Sequence, residues 1–142
     1  MSRKTLVDSS NGFNKLSLLA MLWTVRHRCP AGARFVLNFY MHWAQRIFRH
    51  PVEPPVTIMG QEGVTQGYPL SMVLYGITLV PLDEELRAAD TGLLSTFYAD
   101  DAAFDSSELK SAHILKLLIK RGPDRGYFPE PEKYLFILDT LG

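Results

Sequence analysis

The sequence predicts an α+β fold, an antiparallel-rich sheet with helices packed mainly on one face. Three observations predict it. Short apolar runs alternate with longer stretches of helical periodicity, in the order strand, helix, helix, strand, helix, hairpin, helix, strand. Two of the strands meet at a tight turn, Asp100-Asp101, so the middle of the sheet is a hairpin and antiparallel. The chain has 142 residues, 46% hydrophobic and 21% charged. That is one domain's length, enough to bury roughly 70% of the unfolded surface. Such a composition excludes a disordered tail, a collagen-like repeat and a disulfide scaffold, and the single cysteine, Cys29, forms no internal bridge.

Each element has its own signal. Residues 4–8 (KTLVD) form a short strand that ends in the turn-forming cluster Ser9-Ser10-Asn11-Gly12 and leaves a carboxylate at its tip. Over residues 15–27, Leu16, Leu19, Trp23 and Arg26 recur at helical spacing. Pro30 suits the first turn of a second helix, in which Phe35, Phe39, Trp43 and Ile47 stack at intervals of four through residue 48. Residues 51–55, with three prolines, break the chain, residues 56–59 form a strand, and residues 60–67 form a glycine-containing loop. Pro69 opens a helix to about residue 89, with a kink expected at Pro81, whose ring removes a backbone donor. Residues 93–98 and 102–104 make the hairpin. A helix over 108–121 follows, with Ser107 as N-cap and Gly122 as stop, and residues 134–138 give the last strand.

The formal net charge is zero, yet residues 1–71 carry eight Lys/Arg against three Asp/Glu, and the remainder seven against twelve. Such a split suits a chain in which one region meets an anion while another gathers carboxylates. Arg26, Arg28, Arg34, Arg46 and Arg49 fit either phosphate contacts or a solvated helix face. His27 and Cys29 are too isolated for a zinc site, which needs four ligands. The start of the chain reaches Asp8 before any apolar run forms, so no secretory signal is expected. The uncharged stretch 64–82 contains Gln66, Gly67, Pro69, Ser71 and Pro81, which favours a buried helix over a membrane span. An intracellular protein of nucleus or cytoplasm, without membrane contact, is the expectation.

Three features stand apart from ordinary core and loop. They are Asp8, with the bulky Phe13 five residues on; the segment GVTQGYPLS, residues 63–71; and Tyr98-Ala99-Asp100-Asp101 at the hairpin tip. Two carboxylates roughly 4 Å apart repel by about 4 kcal/mol at an effective dielectric near 20. A site that gathers Asp8, Asp100 and Asp101 must therefore protonate one of them or bind cations. Mg²⁺ is a hard, oxygen-seeking ion, and a pair of such ions suits in-line phosphoryl displacement.

In this order and at these spacings, the three features resemble the palm domain of reverse transcriptases, RNA-directed DNA polymerases, of the non-LTR (LINE-like) retrotransposon type. Asp8 with Phe13 is similar to that family's aspartate followed by an aromatic five positions later. GVTQGYPLS is similar to its G-x-x-Q-G-x-P-L-S motif, and Tyr98-Ala99-Asp100-Asp101 to its Y-x-D-D box. GYFPEPEKYLFI resembles its lysine-bearing segment, which places Lys133. The resemblance spans about residues 6–138.

The resemblance implies a palm with a ferredoxin- or RRM-like core, residues 1–142 forming a single palm domain of a larger polymerase. It implies Asp8 and Asp100 as main ligands of two Mg²⁺ ions, with Mn²⁺ as a substitute, and Asp101 as auxiliary ligand. Lys133 would act on the pyrophosphate leaving group. Phe13 would crowd a 2′-hydroxyl, Gln66 and Gly67 would approach the incoming nucleotide and template, and Tyr98 would pack beneath the primer end or fill core. The partners implied are an RNA template, a DNA primer and deoxynucleoside triphosphates.

The sequence also departs from the family pattern. It starts close to the first motif, so the family's fingers and thumb are not expected within it. Tyr68 replaces an acidic residue, Met72 a frequent proline, and Tyr134 a small hydroxyl residue. Two other readings remain: a non-catalytic remnant with at most nucleic-acid binding, and an RNA-dependent RNA polymerase palm. Ala99 and Phe13 argue against the latter, which usually carries Gly-Asp-Asp and a polar sugar-selecting residue.

Overall fold

In the computed structural model, residues 2–42, 44–60, 62–64 and 68–138 are described. The first strand, β1 (Ser2–Asp8), alternates strictly: Thr5 and Val7 are buried, while Leu6 and Asp8 look to the other side. It pairs antiparallel with β5 (Asp101–Ser107) on one edge and β6 (Leu135–Leu138) on the other. β5 also pairs with β4 (Leu94–Tyr98), which completes a four-stranded antiparallel sheet in the order β4-β5-β1-β6.

The same alternation divides the two faces. Val7, Ala102 and Phe104 are buried beneath α4 (Pro69–Ala89) and α5 (Glu108–Arg121), and α2 (Leu18–Arg28) packs on α4. On the opposite face Leu94, Tyr98 and Leu135 stay exposed. The sheet thus carries its helices on one side, as predicted.

Local chemistry explains most boundaries. The Ser17 hydroxyl accepts from the Ala20 amide and starts α2, three residues later than expected. Ahead of it lies a separate single turn, α1 (Gly12–Lys15), entered through Asn11 in the left-handed region at φ 49°. Helix α4 runs through Pro81 without interruption. The proline leaves the Ile77 carbonyl without its intrahelical donor, and the Arg125 guanidinium reaches the neighbouring Thr78 carbonyl at 3.0 Å. Leu79 and Leu82 on either side of the proline are buried in the core, so packing holds the segment helical.

One predicted element is wrong. Helix α3 (Pro30–Tyr40) does not continue to residue 48 with Ile47 on its stripe. Ala44–Phe48 is instead a strand, β2, paired antiparallel with β3 (Val56–Gly60), so the expected lone strand is half of a separate two-stranded hairpin. Ile47 and Phe48 face Thr57 and Val56 across that ladder. Aromatic and β-branched partners favour a strand over a helix, and the proline-containing connection 49–55 closes the hairpin. Trp43, assigned to the same stripe, lies outside the described residues.

Candidate active site

Antiparallel register delivers the carboxylates. Asp8 is the last residue of β1 and stands opposite Asp101, the first of β5. Tyr98 closes β4 opposite the same Asp101, so the connection is a two-residue turn of Ala99 and Asp100. Ala99 holds a left-handed φ of 52°, a conformation that tight hairpins require and that alanine adopts at a cost. Through this arrangement Asp8, Asp100 and Asp101 each place an oxygen within 4.8 Å of the others.

The turn is held from behind. The Ser9 amide donates to the Asp100 carbonyl at 3.0 Å, and the Tyr127 hydroxyl donates to the same oxygen at 2.9 Å. The Ser9 hydroxyl accepts from the Phe128 amide, and the Glu130 amide donates to the Asp8 carbonyl at 2.9 Å. Gly12 makes the close approach possible. A β-carbon there would lie 2.5 Å from the Tyr75 hydroxyl and 2.8 Å from the Asp100 Cβ. The hydroxyls of Tyr75 and Tyr127 are kept protonated far above their ordinary range, chiefly by burial. The next cause is the Asp100 charge for Tyr75 and the neighbouring Tyr75 for Tyr127.

Electrostatics record the crowding. Partial burial, then the charges of Asp100 and Asp8, raise the Asp101 carboxyl above the usual aspartate range, and Lys133 offsets only part of this. Lys133 closes a single 3₁₀ turn, Pro131–Lys133, which sets its ammonium 3.0 Å from Asp8 Oδ2 and 2.7 Å from Glu130 Oε2. Three clustered carboxylates offer hard oxygen donors of the kind Mg²⁺ prefers.

Two hollows flank the cluster, and both are lined by Asp8 and Lys133. One is polar, about 230 Å³, and adds Gly12, Phe13, Asp100 and Glu130. The other, about 430 Å³, lies on the open sheet face with Leu6, Thr96, Tyr98, Asp101 and Leu135.

The structure thus brings together Asp8, Asp100, Asp101, Lys133, Phe13 and Tyr98. Phe13 is half-buried, with its ring 5.1 Å from that of Tyr75, and one edge reaches the polar hollow. Tyr98 is 74% exposed and fills no core. Gln66 and Gly67 lie outside the described residues. The beginning of their segment docks beneath the site, where the Val64 amide donates to the Phe13 carbonyl at 2.7 Å. Pro69 opens α4 as expected. Gly12, Tyr75, Tyr127 and Glu130 escape sequence reasoning, because their roles come from contacts distant in sequence. Of the basic side chains offered for phosphate contact, Arg28 is tied to Glu84, whereas Arg26 and Arg34 are exposed on α2 and α3.

No family model matches the chain, and no curated protein does so. Solved structures do resemble it. An apo telomerase from Candida tropicalis, truncated from its C-terminal domain, superposes with a TM-score of 0.75 at 16% identity, over 99% of this chain and 31% of that one. Telomerase from Candida albicans, in complex with a TWJ fragment of telomeric RNA, gives 0.72 at 10% identity, over 98% and 28%. The fold is reverse transcriptase-like. It is a polymerase palm architecture, and the chain spans under a third of the length of these telomerase chains. Among the described residues, no helix is long and apolar enough to cross a membrane.

Proposed function

We propose that this chain is the palm of an RNA-directed DNA polymerase, a part of a larger enzyme, of the non-LTR retrotransposon type. The observation that carries the reading is the convergence of Asp8, Asp100 and Asp101 beside Lys133 on a reverse transcriptase-like fold. The donor set fits two Mg²⁺ ions, or Mn²⁺ in their place. Asp8 and Asp100 are the main ligands and Asp101 the auxiliary one. Ions held there would lower the pKa of a primer 3′-hydroxyl and offset charge on the triphosphate.

The chain's own residues do the rest. The 3′-hydroxyl gives its proton to solvent water, and its oxygen forms a bond to the α-phosphorus of a deoxynucleoside triphosphate as the bond to the β-phosphate oxygen breaks, so that pyrophosphate leaves. The Lys133 ammonium faces the polar hollow and donates a proton to the departing pyrophosphate oxygen. Phe13, braced by Tyr75, crowds the 2′ position of the sugar. Tyr98, on the open face, supports the primer end. Gln66 and Gly67 take the template side. The RNA fragment held by the Candida albicans telomerase supports a nucleic-acid partner, which we read as an RNA template.

The test is primer extension on an RNA template, with the palm joined to fingers and thumb segments. Mg²⁺-dependent addition of deoxynucleotides, abolished by Asp100→Asn, is expected. Extension that survives Asp100→Asn contradicts the reading. Binding of template–primer duplex without extension in any context favours a non-catalytic remnant.

A further inference from the structure

We infer that Lys133 is a tethered cation that exchanges with the divalent ion at Asp8, and that Glu130 is the positioning residue that keeps it at the site during the exchange. The inference rests on the ion-binding reading above. Asp8 Oδ2, an oxygen that an ion bound by the cluster would take, already accepts from Lys133 at 3.0 Å. The lysine has a second, shorter contact at 2.7 Å to Glu130 Oε2, so leaving Asp8 does not strip it of a partner.

Glu130 is itself fixed to the strand end that it serves. Its amide donates to the Asp8 carbonyl at 2.9 Å, and its carbonyl accepts from the Lys133 amide at 3.0 Å. Lys133 and Glu130 therefore sit on one short loop that is pinned to the β1 end at Asp8. Both carboxylates and the lysine line the polar hollow, where Phe13 also lies.

The consequence is a division of labour. With Lys133 on Asp8, one positive charge sits in the three-carboxylate cluster and eases the repulsion among its members. When a divalent ion takes Asp8, like-charge repulsion drives the ammonium off that oxygen. Glu130 then holds it within the hollow, on the side where a leaving phosphate would emerge. A lysine without Glu130 would swing into solvent, because four rotatable bonds separate its charge from the backbone.

Two readouts on the full chain test this, neither of which needs turnover. The first is calorimetric titration with Mn²⁺ of the wild type, Lys133→Met and Glu130→Gln. Lys133→Met is expected to bind Mn²⁺ about tenfold more tightly, because a competing charge is gone. The second is ¹⁵N spectroscopy of the lysine ammonium groups, with Lys133 assigned by its loss in Lys133→Met. On saturation with Mg²⁺ its resonance is expected to shift yet remain sharp in the wild type, and to broaden beyond detection in Glu130→Gln.

Mn²⁺ affinity unchanged or weaker in Lys133→Met overturns the exchange. A resonance that responds to Mg²⁺ identically in wild type and Glu130→Gln overturns the role of Glu130. Saturable binding in the wild type with either of these results leaves the ion-site reading standing. Absence of binding in every variant removes both. Lys133 is exposed and Glu130 half-buried, and an unchanged far-ultraviolet dichroism spectrum confirms that each variant is folded.

Discussion

Asp90 and Asp101 occupy the two ends of the β4–β5 neighbourhood, and the fold treats them in opposite ways. Asp90 lies just after α4 with its side chain buried. Its Oδ1 accepts from the Lys110 ammonium at 2.9 Å and from the Gly92 amide at 3.1 Å. The Lys110 bond, ahead of other causes, lowers its carboxyl below the ordinary range. The Asp101 carboxyl is raised, first by desolvation and then by the charges of Asp100 and Asp8, which Lys133 offsets only in part. Asp90 serves stability, whereas Asp101 works against it. Such an arrangement is the one expected where charge serves a purpose other than folding.

The largest expected effect falls on the cluster. Asp100→Asn removes a carboxylate from the turn and is expected to weaken Mn²⁺ binding by about 100-fold or more, read by calorimetric titration. Asp90→Asn should leave that affinity unchanged. Equal loss in both variants would erase the distinction between the two acids.

Gly12→Ala comes next. Its new methyl would press on the Tyr75 hydroxyl and Asp100 Cβ, with an overpacking cost of about 1–3 kcal/mol in urea denaturation. Mn²⁺ affinity should fall with it, since Asp100 must move. An unaltered affinity in a destabilised variant would show that Asp100 has slack.

The pH dependence separates the pair by sign. A lowered carboxyl adds stability above the ordinary aspartate range, and that stability disappears as pH falls through the folded-state value. A raised carboxyl does the reverse, costing stability when ionised and returning it as pH falls. Asp90→Asn is therefore expected to lower the melting temperature at pH 7 and to lose that effect in acid. Asp101→Asn is expected to raise the melting temperature at pH 7 while weakening Mn²⁺ binding. Thermal melts from pH 3 to pH 7 check both, and parallel pH profiles would contradict the assignment.

The smallest effect belongs to Ala99→Gly. Relief of the left-handed alanine at φ 52° should stabilise the hairpin by less than about 1 kcal/mol, read in the same melts. A loss of stability would mean that the turn is unstrained.

Much of the site was legible in the sequence because its parts are local signals in a fixed order: an aspartate closing an apolar strand, an Asp-Asp turn between two strands, a lysine before the last strand. Antiparallel pairing then brings Asp8 opposite Asp101 with no further information. Gly12, Tyr75, Tyr127 and Glu130 were illegible for the opposite reason. Gly12 sits in a turn cluster where glycine is unremarkable, and only the approach of Tyr75 reveals its constraint. Tyr127 matters through a carbonyl 27 residues away.

The hairpin of β2 and β3 misled for a different reason. Phe35, Phe39, Trp43 and Ile47 satisfy helical spacing, but a spacing of four also keeps residues on one face of a strand. Pairing with β3 decided between the two for Ile47.

The central claim is that Asp8, Asp100 and Asp101 form one divalent-cation site. Substoichiometric Mn²⁺ added to ¹⁵N-labelled protein tests it most directly, because paramagnetic broadening marks the residues around the ion. The account predicts that the amides of residues 8–9, 100–101 and 133 vanish first, and that excess Mg²⁺ restores them. Broadening centred on Glu84 and Glu85, or scattered over the surface acids with the cluster untouched, would contradict it.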